Sequence, residues 1–159
     1  FVEVRLPLLD GAGRLSDQPP RATKAIHKET AGNRLQGLAI LVAEDNLSSQ
    51  KILGALLGQE GHHLTFANDG MAAVAMAASD MFDVILMDVM MPLMDGMTAT
   101  RHIRELGGRA SGLPIIALTA NALLGDRDRY LAAGMTDYLS KPIDVEALFI
   151  AIARAASQL

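Results

Sequence analysis

Five short apolar runs alternate with five segments of helical period, and this alternation constrains the fold more tightly than any other feature of the chain. The runs are Leu38-Ala39-Ile40-Leu41-Val42-Ala43, Leu64-Thr65-Phe66, Val84 to Met87, Ile115 to Leu118 and Met135 to Leu139. Leu47 to Gln59 places Ile52, Leu53, Leu56 and Leu57 on one helical stripe. Met71 to Ala78 is rich in Ala and Met, and Thr98 to Leu106 carries Ile103 and Leu106. Ala122 to Ala133 carries Leu123, Leu124 and Leu131, and Asp144 to Ala156 carries Val145, Leu148, Phe149 and Ile152. Strands alternating with helices predict an α/β fold, a doubly wound five-stranded parallel sheet with helices on both faces. Strands that are apolar almost without interruption fit a sheet covered on both sides. Gly61, Gly107, Gly108 and Gly134 fall near helix ends, where positive φ is often required.

The 159 residues, 50% of them hydrophobic, suffice for one sizeable core and not for two ordinary domains. A net charge of −4 argues against nucleic acid as a partner, which wants a basic footprint. With no cysteine, a disulfide framework or thiolate metal site is excluded. No run approaches the ~18 apolar residues of a membrane span, and no secretory signal is visible. A cytoplasmic location without direct membrane contact is therefore expected, with a parent protein that is free to be membrane-anchored. The chain starts at Phe1 and reads as a piece of a longer protein. Phe1 to Leu9 alternates at strand period, and residues 10–37, with four Gly and the Pro19-Pro20 pair, read as a linker. A third segment, residues 38–157, holds the alternating elements.

The strand ends carry the chemistry. The first run ends in Glu44-Asp45, the third in Asp88 and the fourth in Thr119, and the fifth is followed by Ser140-Lys141-Pro142. In an open parallel sheet the binding crevice lies at the carboxyl ends of the strands, so these residues should converge. Three carboxylates in one pocket repel one another, and a divalent cation relieves that repulsion. Oxygen-only ligands favour a hard ion such as Mg²⁺, which shares its shell with phosphate oxygens. No His adjoins these ends, which disfavours zinc. His27, His62, His63 and His102 read as surface or structural residues. A lysine supplies a point charge and a threonine a hydroxyl donor for the same phosphate group. An acid flanked by such groups is suited to phosphoryl transfer, with Asp88 as nucleophile. Asp95 and Gly96 read as turn-shaping residues that start the next helix, and Asn46 as a helix cap.

Four motifs carry a resemblance. They are Val42-Ala43-Glu44-Asp45-Asn46, Leu86-Met87-Asp88-Val89-Met90-Met91-Pro92-Leu93-Met94-Asp95-Gly96, Ala117-Leu118-Thr119-Ala120-Asn121-Ala122 and Tyr138-Leu139-Ser140-Lys141-Pro142. Over Leu38 to about Ala156 the chain resembles the receiver domain of two-component response regulators, most of all the receivers fused to hybrid sensor histidine kinases. The resemblance implies a flavodoxin-like strand order 2-1-3-4-5 and phosphorylation of Asp88 from a phosphohistidine. The donor would be a histidine-kinase phosphodonor domain or a histidine phosphotransfer protein. It further implies Mg²⁺ held by Asp45, Asp88 and the backbone carbonyl of Met90, with Glu44 acting through water. Lys141 would pair with Asp88 and then with the phosphate. Thr119 and Tyr138 would turn inward as a switch, and small Ala120 would leave room for the phosphate. The Lys141-Pro142 bond is often cis in this family. Ser49 departs from the family, whose hybrid-kinase receivers often carry Asn there. Phe1 to Leu9 resembles the last strand of a kinase ATP-binding domain.

Such a domain phosphorylates and dephosphorylates only itself, and its switched surface would comprise the fourth helix, fifth strand and fifth helix of the five expected. Two rivals stand beside it. A Mg²⁺-dependent aspartyl-phosphate phosphatase typically wants a second Asp two residues after its nucleophile, where this chain has Met90. A pseudo-receiver would bind partners without phosphorylation, against which the complete acid, Thr and Lys set argues. A nucleotide-binding Rossmann-type domain lacks its glycine fingerprint here.

Overall fold

Five strands form where the apolar runs stand: β1 (Ala39–Ala43), β2 (His63–Ala67), β3 (Val84–Asp88), β4 (Ile115–Thr119) and β5 (Asp137–Ser140). The structure is a computed structural model that describes residues 37–121 and 125–159. The expected first strand, nearly all of the linker, and the start of the helix expected from Ala122 lie outside the described residues. Within them, six helices occur: α1 (Leu47–Gln59), α2 (Gly70–Ser79), α3 (Gly96–Glu105), α4 (Gly108–Gly112), α5 (Asp126–Ala132) and α6 (Val145–Ala156).

All strand pairs are parallel, and the order is β2-β1-β3-β4-β5, as the resemblance implied. Each apolar run is divided between two cores by the two-residue period of a strand. Leu41, Ile85, Met87, Ile115 and Ala117 pack with Ala73, Ala77, Ala99, Ile103 and Tyr130, on the face covered by α2, α3 and α5. Ile40, Val42, Val84, Leu86, Ile116 and Leu118 pack with Leu53, Leu57, Leu148 and Ile152, on the face covered by α1 and α6. The order reverses between β1 and β3, so the crevice of the sheet opens at their carboxyl ends.

Four of the six described helices begin at side chains that satisfy free N–H groups. Asn46 accepts from the Ser48 and Ser49 amides, Asp69 from Ala72, Asp95 from Thr98 and Asp144 from Ala147. Caps of this kind contribute about 1 kcal/mol each. Asp95 explains why α3 starts two residues before the expected Thr98. Gly96 follows it in close quarters: a Cβ there would collide with the Asp88 carbonyl oxygen. The turn after β3 thus depends on a residue with no side chain.

Two expectations are corrected. The last strand starts at Asp137 and not at Met135, because the Met135 amide bonds back to the Tyr130 carbonyl and its side chain enters the core. Thr136 then caps β4, giving its amide to the Ile115 carbonyl and accepting from the Ile115 amide. The region after α3 also holds the short helix α4, where only a helix end was expected. Gly107 and Gly108 both have positive φ (73° and 58°), which turns the chain and starts a new turn of helix. Arg104 of α3 holds this corner to the start of β5, bonding the Gly134 and Ser111 carbonyls.

Candidate functional site

Glu44, Asp45, Asp88 and Lys141 meet at the carboxyl edge of β1 and β3. One carboxylate oxygen from each acid lies within 4.8 Å of the others. Asp88 continues β3 and Glu44 follows β1, and both are buried, whereas Asp45 is exposed. The Lys141 ammonium bridges the buried pair, at 2.7 Å from Asp88 Oδ2 and 2.8 Å from Glu44 Oε2. Lys141 reaches them from the loop after β5, whose position is set by its own amide bonding the Thr119 carbonyl at 2.7 Å. The Lys141-Pro142 peptide is cis.

The remaining acceptors are also occupied. Asp88 Oδ1 accepts from the Met90 amide at 3.0 Å, and Glu44 Oε1 from the Asn46 amide at 3.2 Å. The Glu44 carbonyl accepts from the Gln50 side chain, which is itself bound to Asn68. Gln50, one turn into α1, was not foreseen as part of this edge.

Burial raises the Glu44 pKa, the Lys141 hydrogen bond works against that, and the Asp88 charge adds to it; the result stands above the ordinary glutamate range. Burial pulls Lys141 down, but its hydrogen bonds to Asp88 and Glu44 outweigh it and keep the ammonium above the usual lysine range. Three carboxylates against one ammonium leave the edge short of positive charge. All the donors are oxygens, so the set fits a hard divalent cation such as Mg²⁺.

Thr119 ends β4 one residue beyond Leu118, which is in register with Asp88. Its side chain is directed to the other face of the sheet. Its hydroxyl oxygen lies 2.8 Å from the Tyr130 hydroxyl, 2.9 Å from the Asn121 carbonyl oxygen, and accepts from the Asn121 amide at 3.1 Å. Tyr138, half-buried on β5, lies beside Tyr130 with ring centroids 6.2 Å apart. The Met90 side chain, at 73% exposure, and Ala120 are at the surface. Thr119 and Tyr130 line a cleft of about 620 Å³ that also includes Met90, Asn121 and Arg129. Tyr130 too was unforeseen. Its signal was a tyrosine set in a short, mostly charged helix of which it is the buried residue, since a buried Tyr hydroxyl needs a partner.

Comparison with known proteins places this edge in context. Residues 40–153 match the response regulator receiver domain family. The chain is 37% identical over 150 residues to hybrid signal transduction histidine kinase I of Dictyostelium discoideum, covering 90% of this chain and 9% of that protein. It therefore spans about a tenth of the length of that relative. A receiver domain of a Pseudomonas aeruginosa sensor histidine kinase, solved with magnesium in its active-site cleft, is 44% identical with a TM-score of 0.71. The match covers 76% of this chain and 98% of that one. A Saccharomyces cerevisiae response-regulator receiver domain, solved in complex with a histidine phosphotransfer protein, gives 28% identity and a TM-score of 0.72, covering 77% of this chain and 91% of that one.

Proposed function

The chain belongs to the response regulator receiver domain family, and from that premise we propose that it accepts a phosphoryl group on Asp88 as one step of a phosphorelay. An Asp88 carboxylate oxygen attacks the phosphorus of a phosphohistidine in line with the P–N bond. That bond breaks and its electron pair leaves on the imidazole nitrogen; with the other ring nitrogen of the phosphohistidine protonated, the donor departs as a neutral imidazole. Hydrolysis by water later returns the carboxylate and inorganic phosphate. Catalysis of this kind is mainly positioning and charge stabilisation.

The observation that carries the reading is the buried Asp88 carboxylate held between Lys141 and the Met90 amide, beside Glu44 and Asp45. One oxygen is anchored by a backbone N–H and the other by a cation, which orients the acid for attack. Lys141 stays within reach of the phosphoryl oxygens after transfer. Asp45, Asp88 and the Met90 carbonyl would hold Mg²⁺ directly, with Glu44 acting through water. When bound, Mg²⁺ neutralises charge on the transferring phosphoryl oxygens. Thr119 would turn toward the phosphate and Tyr138 inward after it, shifting the surface of α5, β5 and α6. Such a switch is a two-state population shift.

The phosphodonor is a histidine-kinase domain or a histidine phosphotransfer protein, and the parent is a hybrid sensor histidine kinase. The likeness to a receiver solved in complex with a phosphotransfer protein supports the first, and the similarity to hybrid signal transduction histidine kinase I supports the second. The receiver would span residues 38–157, after a kinase-derived strand at 1–9 and a linker at 10–37. Among the described residues, no helix is long and apolar enough to cross a membrane. The proposed location of the receiver is cytoplasmic, with a parent protein that is free to be membrane-anchored. Incubation with Mg²⁺ and acetyl phosphate tests the reading: mass spectrometry should show one added phosphoryl group, absent in Asp88→Asn. Equal labelling of the Asn variant would remove Asp88 from the role.

A further inference from the structure

We propose that Tyr130 is a positioning residue for Thr119, a latch whose phenol holds the Thr119 hydroxyl away from Asp88 and so opposes the phosphorylated state. The inference rests on the phosphoacceptor reading of Asp88.

The two hydroxyls and the Asn121 carbonyl form a closed ring. The edges are 2.8 Å between the hydroxyls, 2.9 Å from Thr119 to the carbonyl oxygen and 3.3 Å from Tyr130 to it. Two protons serve this ring in either of two senses. Thr119 donates to Asn121 while Tyr130 donates to Thr119, or Thr119 donates to Tyr130 while Tyr130 donates to Asn121. Both hydroxyls are satisfied either way, and both residues are buried, at 2% and 6% exposure.

Thr119 has another place to go. β3 and β4 are neighbouring parallel strands, separated by about 4.8 Å, and Thr119 is one residue past the partner of Asp88. A single step between staggered χ1 wells carries its hydroxyl from the Tyr130 side toward a group attached to Asp88. Tyr130 is unable to follow. Its ring sits in the core on the α2, α3 and α5 face, and its carbonyl is tied to the Met135 amide. Once Thr119 leaves, the Tyr130 hydroxyl keeps, among the described residues, only the long 3.3 Å contact to Asn121. A buried hydroxyl deprived of its good partner costs free energy, and that cost counts against the phosphorylated state. Asn121 is bonded to Thr119 in its own right, so Tyr130 modulates the switch and is not the whole of it.

Tyr130→Phe removes the phenol oxygen and keeps the ring that fills the core. Beryllofluoride with Mg²⁺, a stand-in for a phosphoryl group on a carboxylate, is titrated calorimetrically into the full chain. Tyr130→Phe should bind it roughly five-fold more tightly, the factor for one net hydrogen bond, and the gain should vanish in a Thr119→Ala background. Three-bond couplings to the Thr119 γ-methyl, measured without metal, should shift from one χ1 rotamer to an average of two. Unchanged affinity, an equal gain in the Thr119→Ala background, or an unchanged single rotamer overturns the latch. If the unsubstituted chain takes up no beryllofluoride, the phosphoacceptor reading fails and this inference fails with it.

Discussion

The two sides of the carboxyl edge satisfy their polar groups by different means. On the face covered by α1 and α6, Glu44 and Asp88 are held by a full positive charge at 2.8 and 2.7 Å. On the opposite face, Thr119 is held by neutral hydroxyl and carbonyl groups at 2.8 and 2.9 Å. Charge-assisted bonds are roughly twice as strong as neutral ones. The charged side is therefore suited to stay in place while a ligand arrives, and the neutral side to rearrange when it does. A static half that orients the nucleophile and a mobile half that reports on it is a division of labour that substitutions are able to separate.

The largest effect is expected at Lys141. Lys141→Met should slow labelling by acetyl phosphate about a hundred-fold or more, the scale for losing one preorganised charge-stabilising donor. Stopped-time mass spectrometry measures this. Stability carries a sign that can be checked separately. Because the folded-state pKa of Lys141 is raised, its contribution is fully present below the unfolded pKa and is lost as pH rises through the folded one. Thermal melts on the alkaline side should therefore converge for the native chain and the Met variant. Persistent divergence there would mean that the ammonium does not hold the charged half together.

Glu44 comes next. Its pKa is raised by burial first and by the Asp88 charge after it. Mg²⁺ affinity in the native chain should weaken as pH falls through that raised value, earlier than for an ordinary carboxylate. Glu44→Gln should lower the affinity at neutral pH about ten-fold, as loss of a partner acting through water commonly does. It should also flatten the pH dependence. Calorimetric Mg²⁺ titrations at several pH values distinguish this from a purely structural Glu44, for which the two curves would keep the same shape.

Thr119→Val tests the neutral half at smaller scale. It leaves the shape of the side chain and strips the ring of one hydroxyl. The cost should be about 1 kcal/mol, one net hydrogen bond, read from urea denaturation. Labelling of Asp88 should survive, because the nucleophile and its anchors lie on the other face. Loss of labelling comparable to that of Lys141→Met would erase the distinction between the halves.

The charged half was far more legible in the sequence than the neutral one. Glu44, Asp45, Asp88 and Lys141 each follow an apolar strand, and strand ends in a parallel sheet share one edge whatever the details of packing. Thr119 was legible as an end residue, but the direction of its side chain was not, because that depends on which hydroxyl waits on the neighbouring helix. Tyr130 lies in a helix of mostly charged, exposed residues, a pattern that neither marks it for burial nor names a partner eleven residues earlier. Gln50 was hidden for a similar reason: its contact is to the Glu44 backbone, which no side-chain pattern encodes. The shift of the β5 start to Asp137 has the same origin, since Met135 is apolar in either setting and a tertiary bond to Tyr130 decided between them.

The smallest effect on chemistry is expected at Asp95, which lies in the loop that links Asp88 to α3. It has the residue type of a metal-site acid, yet its carboxylate is already engaged by the Thr98 amide and hydroxyl at 2.8 and 2.9 Å. Burial pushes its pKa up, and those hydrogen bonds outweigh it, so the value stands below the ordinary aspartate range. A depressed carboxyl pKa contributes stability that is present above the unfolded pKa and lost as pH falls through the folded one. Asp95→Ala should therefore cost about 1 kcal/mol near neutral pH, as a lost helix cap does. That difference should disappear in acid, where the native cap is protonated as well. Acetyl phosphate labelling should change by less than about two-fold, because the loop is also fixed by the Gly96 amide on the Val89 carbonyl. A loss of labelling near that of Lys141→Met, without the matching loss of stability, would extend the charged half around the loop and make Asp95 part of it.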